Sequence, residues 1–419
     1  MDLHPLFLQK HRRPSRGKGR LYGKVVQIYL ARSGPVLLCA QQALTSLRFF
    51  AAAMIVTTHT ADFFHIGIEI TKRLIMAQGV SFFFVLSGFV LFYAHREMQD
   101  SARLTFTQFM RARFARVWPA HAVTMLAYCY IFLYVLGLED PLTYGRTFTT
   151  GLLLQAWVPY STYYFGFNGV AWSLSVEMFL YAMFPFLISR WSHTWHWKCM
   201  LAVVLLFVSV TVPGSVALDD WKPGHTGPTI ASYTYIFPPA HLLEFVFGMS
   251  AASLYVRFTG RLESMNIVAI NVIEIVAMAG AIWGLFEMPR ISGLLESSGY
   301  VDSGFRSWLT ISGASPFVAV MLFAMSSGRG VLGRALALRP MVLLGEISFS
   351  LYLVHQLVSR VWLLRKDFAA EYSDLARYLA YWAFVLLLSY LLWRFVEKPA
   401  QLLLMGKLRA TEAPKPVSM

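Results

Sequence analysis

Apolar positions in this chain come in long unbroken blocks, not in the two-residue alternation of a half-buried strand or the stripe of a surface helix. A bilayer-crossing helix needs roughly 20 mostly apolar residues. Stretches of that kind stand near 44–62, 77–94, 117–136, 170–188, 199–215, 236–256, 266–287, 307–326, 342–363 and 378–396. The pattern predicts an all-α, polytopic bundle of about ten transmembrane helices. An eleventh stretch, 147–158, is too short to cross and runs into a Tyr- and Gly-rich segment ending at Asn168. It is expected to be interfacial or re-entrant.

Composition agrees with that reading. Of 419 residues 57% are hydrophobic and 14% charged, whereas a soluble domain carries about 25% charged residues. An ordinary cytosolic enzyme, a disordered chain and a secreted disulfide scaffold are excluded. Cys39, Cys129 and Cys199 have no paired spacing, so neither a disulfide framework nor a metal site is expected.

The net charge of +14 does not point to nucleic acid, because it is not gathered on a folded basic domain. Lys10, Arg12, Arg13, Arg16, Lys18 and Arg20 crowd the start, and the rest fall between apolar blocks. With ten crossings and the N-terminus inside, 25 of the 36 Lys and Arg lie on the cytoplasmic side and nine outside, as the positive-inside rule requires. Counting 147–158 as a crossing would move Arg190, Lys198, Arg257 and Arg261 outside. Both termini are therefore expected in the cytoplasm, with residues 1–42 a basic extension resting on anionic lipid, 43–400 the membrane domain and 401–419 a short tail. The start does not read as a signal peptide. No internal repeat is visible, which argues against an inverted-repeat transporter.

Ionisable side chains within apolar blocks are the candidates for chemistry, since each is costly there unless paired or wetted. The first block holds Arg48 and His59; eleven positions are about three turns, roughly 16 Å along the axis, so both point to nearly the same face. Arg48 as a snorkelling residue and His59 as a core histidine are the plainer alternatives. The fourth block opens Trp172-Ser-Leu-Ser175-Val-Glu177, and Glu177 has no basic neighbour in its own helix. Its partner is expected to be His59 or Arg48, because a carboxylate beside an imidazole prepares a general base; a purely structural pair is the alternative. After the second block come Arg96, Arg103, Arg111, Arg113 and Arg116 with no lysine among them, and guanidinium forks suit phosphate oxygens. In the ninth block Ser348, Tyr352 and His355 fall on one face, lining a cavity or joining helices. His95 to Asp100 spells H-x-x-x-x-D in a charged loop and is taken as chance. His193 and His196 stand among tryptophans as an interfacial belt.

Taken in order, these pieces resemble the acyltransferase 3 family of integral-membrane acyltransferases. They are Leu47-Arg48-Phe-Phe-Ala with His59, Gly79-Val-Ser-Phe-Phe-Phe-Val-Leu-Ser87-Gly88-Phe, Arg113-x-x-Arg116 with Pro119, and Trp172-Ser-Leu-Ser-Val-Glu177. Leu243-Glu244-Phe-Val-Phe-Gly248, Ile347-Ser-Phe-Ser-Leu-Tyr352-Leu-Val-His355 and Phe395-Val-Glu397-Lys398-Pro399 complete the set. The resemblance implies transfer of an acyl group, usually acetyl, from acyl-CoA to a carbohydrate hydroxyl: an exopolysaccharide, an O-antigen or a lipid-linked sugar. It implies a bacterial inner-membrane location, acyl-CoA as co-substrate and no bound cofactor. His59 and Glu177 are the expected catalytic pair. Arg48, Arg111, Arg113 and Arg116 are expected to hold acyl-CoA, and Trp172, Ser175, Tyr352 and His355 to line the cavity. An acyl-histidine relay is a variant of the same chemistry. A transporter of a polar or anionic substrate, or a scaffold subunit of a polysaccharide synthase, is the reading from another class.

Overall fold

Among the described residues the apolar blocks fall on helices. The computed structural model describes residues 35–403 apart from 74, 76, 99–104, 132–136, 138–142, 217, 220–224, 226 and 365–370. The basic extension before residue 35, Arg103, Asp100 and the tail after 403 lie outside the described residues. Among those described there is no strand. We label the principal helices α1 (Pro35–Phe64), α2 (Gln78–Ala94), α3 (Phe106–Tyr128), α4 (Trp172–Ile188), α5 (Trp191–Ser215) and α6 (Leu242–Ser264). After them come α7 (Ile267–Ser297), α8 (Ser303–Ser312), α9 (Ser315–Met325), α10 (Arg339–Leu364) and α11 (Asp374–Leu392). Residues 35–42, expected in the extension, are instead the first turns of α1.

Seven helical stretches are long and apolar enough to cross a bilayer: Cys39–Phe64, Trp191–Pro213, Pro238–Ser264, Ile267–Ser297, Ser303–Met325, Arg339–Leu364 and Asp374–Leu403. Helices α2 and α4 are apolar but have 17 residues each. Helix α3 carries the first part of the stretch expected at 117–136. A helix suits these blocks because it satisfies its backbone donors and acceptors internally, which hydrocarbon cannot do for it. Where helices start near the surface, side chains close the free N–H groups: Asn266 accepts from Ala269, Asp302 from Phe305 and Ser373 from Ala376.

The stretch at 147–158 is not a crossing helix. It divides into a nine-residue helix Thr143–Gly151, a bend and a single 3-10 turn Gln155–Trp157. Trp118 Nε1 donates to Gly151 O, and His121 Nε2 pairs with Thr150 O, so α3 holds it from the side.

The interior of the bundle is built on two pairings, α2 against α6 and α1 against α10. Both depend on absent side chains. A Cβ on Gly88 would run into the Phe245 carbonyl, and one on Gly248 into the Val85 carbonyl. The two helices thus touch backbone to backbone, as small residues permit in membranes. Gly345 does the same for α10 against the Thr45 carbonyl of α1. Helices α5, α7 and α11 lie outside this centre and turn apolar side chains such as Phe207, Val276 and Leu387 outward, the pattern for a lipid-facing surface.

Candidate functional site

Two cavities open into the centre of the bundle, and Arg48 and His59 lie in different ones. Their separation by three turns of α1 places one near each end. The first cavity, about 90 Å³, lies between α1, α2, α3, α4 and α10. Its walls include Arg48, Ser87, Arg113, Arg116, Ser173, Glu177, Tyr181 and Tyr352. The second has a volume of about 470 Å³, and its lining includes Thr58, His59, Phe165, Gly169, Trp172, Tyr235, Tyr352, Gln356 and Arg360. Val80 and Tyr352 belong to both linings.

The first cavity is the arginine end. Arg113 sits over the rings of Phe109 and Tyr181, 5.4 and 5.9 Å from their centroids, in cation–π contact. Its Nε has no hydrogen-bond partner. Glu177 accepts from Ser87 Oγ at 3.2 Å and from the Tyr181 hydroxyl. Glu397, from the turn after α11, accepts from Ser350 Oγ at 3.0 Å and from Gln401 Nε2 at 3.3 Å. Arg48 is within electrostatic reach of Arg116, Glu177 and Glu397, and Glu397 is within reach of Arg116. Three guanidiniums thus meet two carboxylates, leaving a positive balance suited to an anion.

The second cavity is the histidine end. His59 Nδ1 lies 2.9 Å from His355 Nε2, with the two rings nearly parallel at 7° and their centroids 5.3 Å apart. His355 is fully buried behind His59. Arg360 donates from Nη1 to the Phe167 carbonyl at 3.2 Å and lies over the Tyr128 ring at 5.5 Å. Phe167 has φ 51°, a left-handed conformation uncommon for a bulky residue. Gln356 leaves its Oε1 buried and unpartnered. The turn before α4 is tied to α10 at this end: Asn168 Nδ2 donates to Leu353 O, and the Tyr352 hydroxyl donates to Val170 O.

Several expectations are corrected by this geometry. The catalytic pair expected between His59 and Glu177 is not formed: His59 meets His355, while Glu177 meets Tyr181 and Ser87 in the other cavity. Arg111 is exposed and stands 200° around α3 from Arg113, so it does not join the cluster that Arg48, Arg113 and Arg116 form. Ser175 is buried with an unpartnered hydroxyl, 200° around α4 from Ser173; Ser173 takes the expected cavity position. His355 supports a lining residue without itself being on the wall. Trp172 and Tyr352 are among the residues lining the second cavity. His95 closes the end of α2 through Leu91 O and packs on Phe109 and Phe184, a structural role.

Gln356, Arg360, Ser87, Ser173 and Glu397 are given no individual role by the sequence reading, although Ser87, Ser173 and Glu397 stand inside its motifs. For Gln356 and Arg360 a signal existed. Carrying the four-residue step onward from Tyr352 reaches both on the same face of α10. For Ser87 and Ser173 the only signal is their place in those motifs, since serines are common in membrane helices.

The chain belongs to the acyltransferase 3 family: the profile of that family, described as an acyltransferase domain, matches residues 41–394. It is 32% identical over 337 residues to acyltransferase MdmB of Streptomyces mycarofaciens, covering 76% of this chain and 79% of that protein. Nodulation protein 10 of Rhizobium leguminosarum bv. viciae is 30% identical over 188 residues, covering 40% of this chain and 48% of its own length. Protein 2 in the picA locus of Rhizobium radiobacter is 38% identical over 101 residues, covering 24% and 50%. No solved structure matches.

Proposed function

From that membership we propose that the chain takes an acyl group, acetyl in the first instance, from cytoplasmic acyl-CoA and places it on a hydroxyl of a carbohydrate or lipid-linked sugar. It does so as a ten-span protein of a bacterial inner membrane with both termini in the cytoplasm. The observation that carries this reading is the meeting of an arginine-lined and a histidine-lined cavity at Tyr352. A phosphate-bearing donor and a hydroxyl-bearing acceptor can then approach from opposite ends.

Arg48, Arg113 and Arg116 hold the donor phosphates, and the thioester arm extends along α1 towards Tyr352. His59 is the general base. It removes the proton from the acceptor hydroxyl as that oxygen bonds to the thioester carbonyl carbon. The carbon–sulfur bond then breaks, and the leaving CoA thiolate takes the proton from the imidazolium. Glu177 serves the donor end, where it fixes Tyr181 and balances the guanidiniums, instead of orienting the base. Trp172 and Tyr235, whose ring centroids are 4.5 Å apart, offer an aromatic wall to the acceptor.

The test is direct. Membranes holding the protein are incubated with radiolabelled acetyl-CoA, and label is followed into polysaccharide and glycolipid fractions. Transfer that disappears with His59→Ala, at unchanged membrane expression, supports the reading. Transfer that persists in that variant removes His59 as the base. Absence of any transfer, with counterflow of a polar solute instead, supports a transporter.

A further inference from the structure

We propose that His355 is a positioning residue that fixes which ring nitrogen of His59 accepts the proton. The proposal rests on the assignment of His59 as the base and adds how its lone pair is aimed.

The Leu351 carbonyl sets the direction of this chain of hydrogen bonds. His355 Nδ1 lies 3.2 Å from the Leu351 carbonyl oxygen, which can only accept. Nδ1 therefore carries the hydrogen. In a neutral imidazole the other nitrogen, Nε2, is then a bare acceptor. That Nε2 is the atom 2.9 Å from His59 Nδ1, so His59 Nδ1 must in turn be the N–H donor. The lone pair of His59 is thereby left on Nε2, the nitrogen not engaged by His355. A base in the opposite tautomer would present an N–H to the acceptor hydroxyl and could take no proton there.

The same bond survives the reaction. When His59 gains a proton on Nε2, Nδ1 still donates to His355, which holds the imidazolium without a buried carboxylate beside it. A neutral partner suits an apolar interior, where an ion pair carries a heavy desolvation cost. The other tautomer of His355 would set the Nδ1 lone pair against the Leu351 oxygen, lone pair to lone pair. The backbone at His355 is itself pinned: its carbonyl accepts from Ser359 Oγ at 2.8 Å and from the Tyr381 hydroxyl at 3.0 Å. Those two hydroxyls are 2.8 Å apart. Fully buried and off the cavity wall, His355 touches no substrate.

The experiment is nitrogen NMR on the full chain in bilayers, with all 11 histidines labelled with 15N. The His59 resonances are identified by their loss in His59→Gln. A protonated Nδ1 and an unprotonated Nε2 on His59 are expected; the reverse pattern overturns the proposal. In His355→Phe the His59 signals should become a mixture of tautomers, and in His355→Gln, whose amide oxygen can still accept, the native tautomer should persist. An unchanged His59 pattern in His355→Phe also overturns it. In the acetyl-transfer assay His355→Phe should lower kcat by about 100-fold with the acetyl-CoA KM unchanged, and His355→Gln should recover part of the loss. Because the NMR needs no substrate, a failed tautomer result is distinguishable from a failure of His59 as base.

Discussion

Ser173 Oγ and the Tyr352 hydroxyl lie 2.8 Å apart, joining α4 to α10 at the point where the two cavities meet. The same tyrosine hydroxyl donates to Val170 O, and Ser173 also reaches Val170 O at 3.0 Å. Tyr352 is thus both a clamp on the turn before α4 and, with Val80, a side chain shared by the linings of the two cavities. Tyr352→Phe keeps the ring and loses the clamp. We expect a stability loss of about 1 kcal/mol, read as a lowered unfolding midpoint in detergent, and less than about tenfold loss of transfer, since the removed group is a clamp and no acid or base. Abolished transfer at unchanged stability would make the hydroxyl part of the chemistry.

The arginines divide sharply by helix phase. Arg113→Ala and Arg116→Ala should each raise the acetyl-CoA KM about tenfold, the loss of a charge-assisted contact of roughly 1.5 kcal/mol, with kcat little changed. Arg111→Ala should leave both values where they were. Donor titration of the three variants checks this, and equal effects from all three would show a diffuse basic field in place of a built cluster.

Glu177 lines the arginine-bearing cavity, the end proposed for the donor. Glu177→Gln should therefore alter the acetyl-CoA KM while leaving the His59 nitrogen resonances unmoved. A change in those resonances would restore the direct pairing that the separate hydrogen-bond partners of the two residues argue against.

A carboxylate remote from both cavities supplies a control. Glu274 of α7 is fully buried and accepts from the backbone N–H groups of Gly330, Leu332 and Gly333 at 3.0–3.1 Å and from Ser327 Oγ at 3.3 Å. It seats the short helix Val331–Leu336, whose Leu336 carbonyl receives Ser46 Oγ of α1. Glu274→Gln sets an amide N–H against an N–H donor and should cost about 1–3 kcal/mol. The unfolding midpoint should fall, and transfer per folded molecule should not. A fall in kcat at unchanged stability would connect this end of the bundle to catalysis.

That the chain is helical and built for a membrane was legible from the order of its residues. Blocks of about 20 apolar residues are local objects, and in hydrocarbon only a helix satisfies such a segment from within. That order also singled out Arg48, His59, Glu177, Tyr352 and His355, because polar groups are conspicuous on an apolar background. What only the tertiary structure decided is who meets whom. Glu177 and His59 each needed a partner, yet the choice among Ser87, Tyr181, Arg48 and His355 depends on how α1, α2, α4 and α10 are rotated and set in height. That arrangement is imposed by distant contacts such as Gly88 against Phe245 and Gly345 against Thr45. The preference for Arg113 over Arg111, and for Ser173 over Ser175, has the same origin: helical period places each pair on opposite faces, and packing chooses which face looks inward.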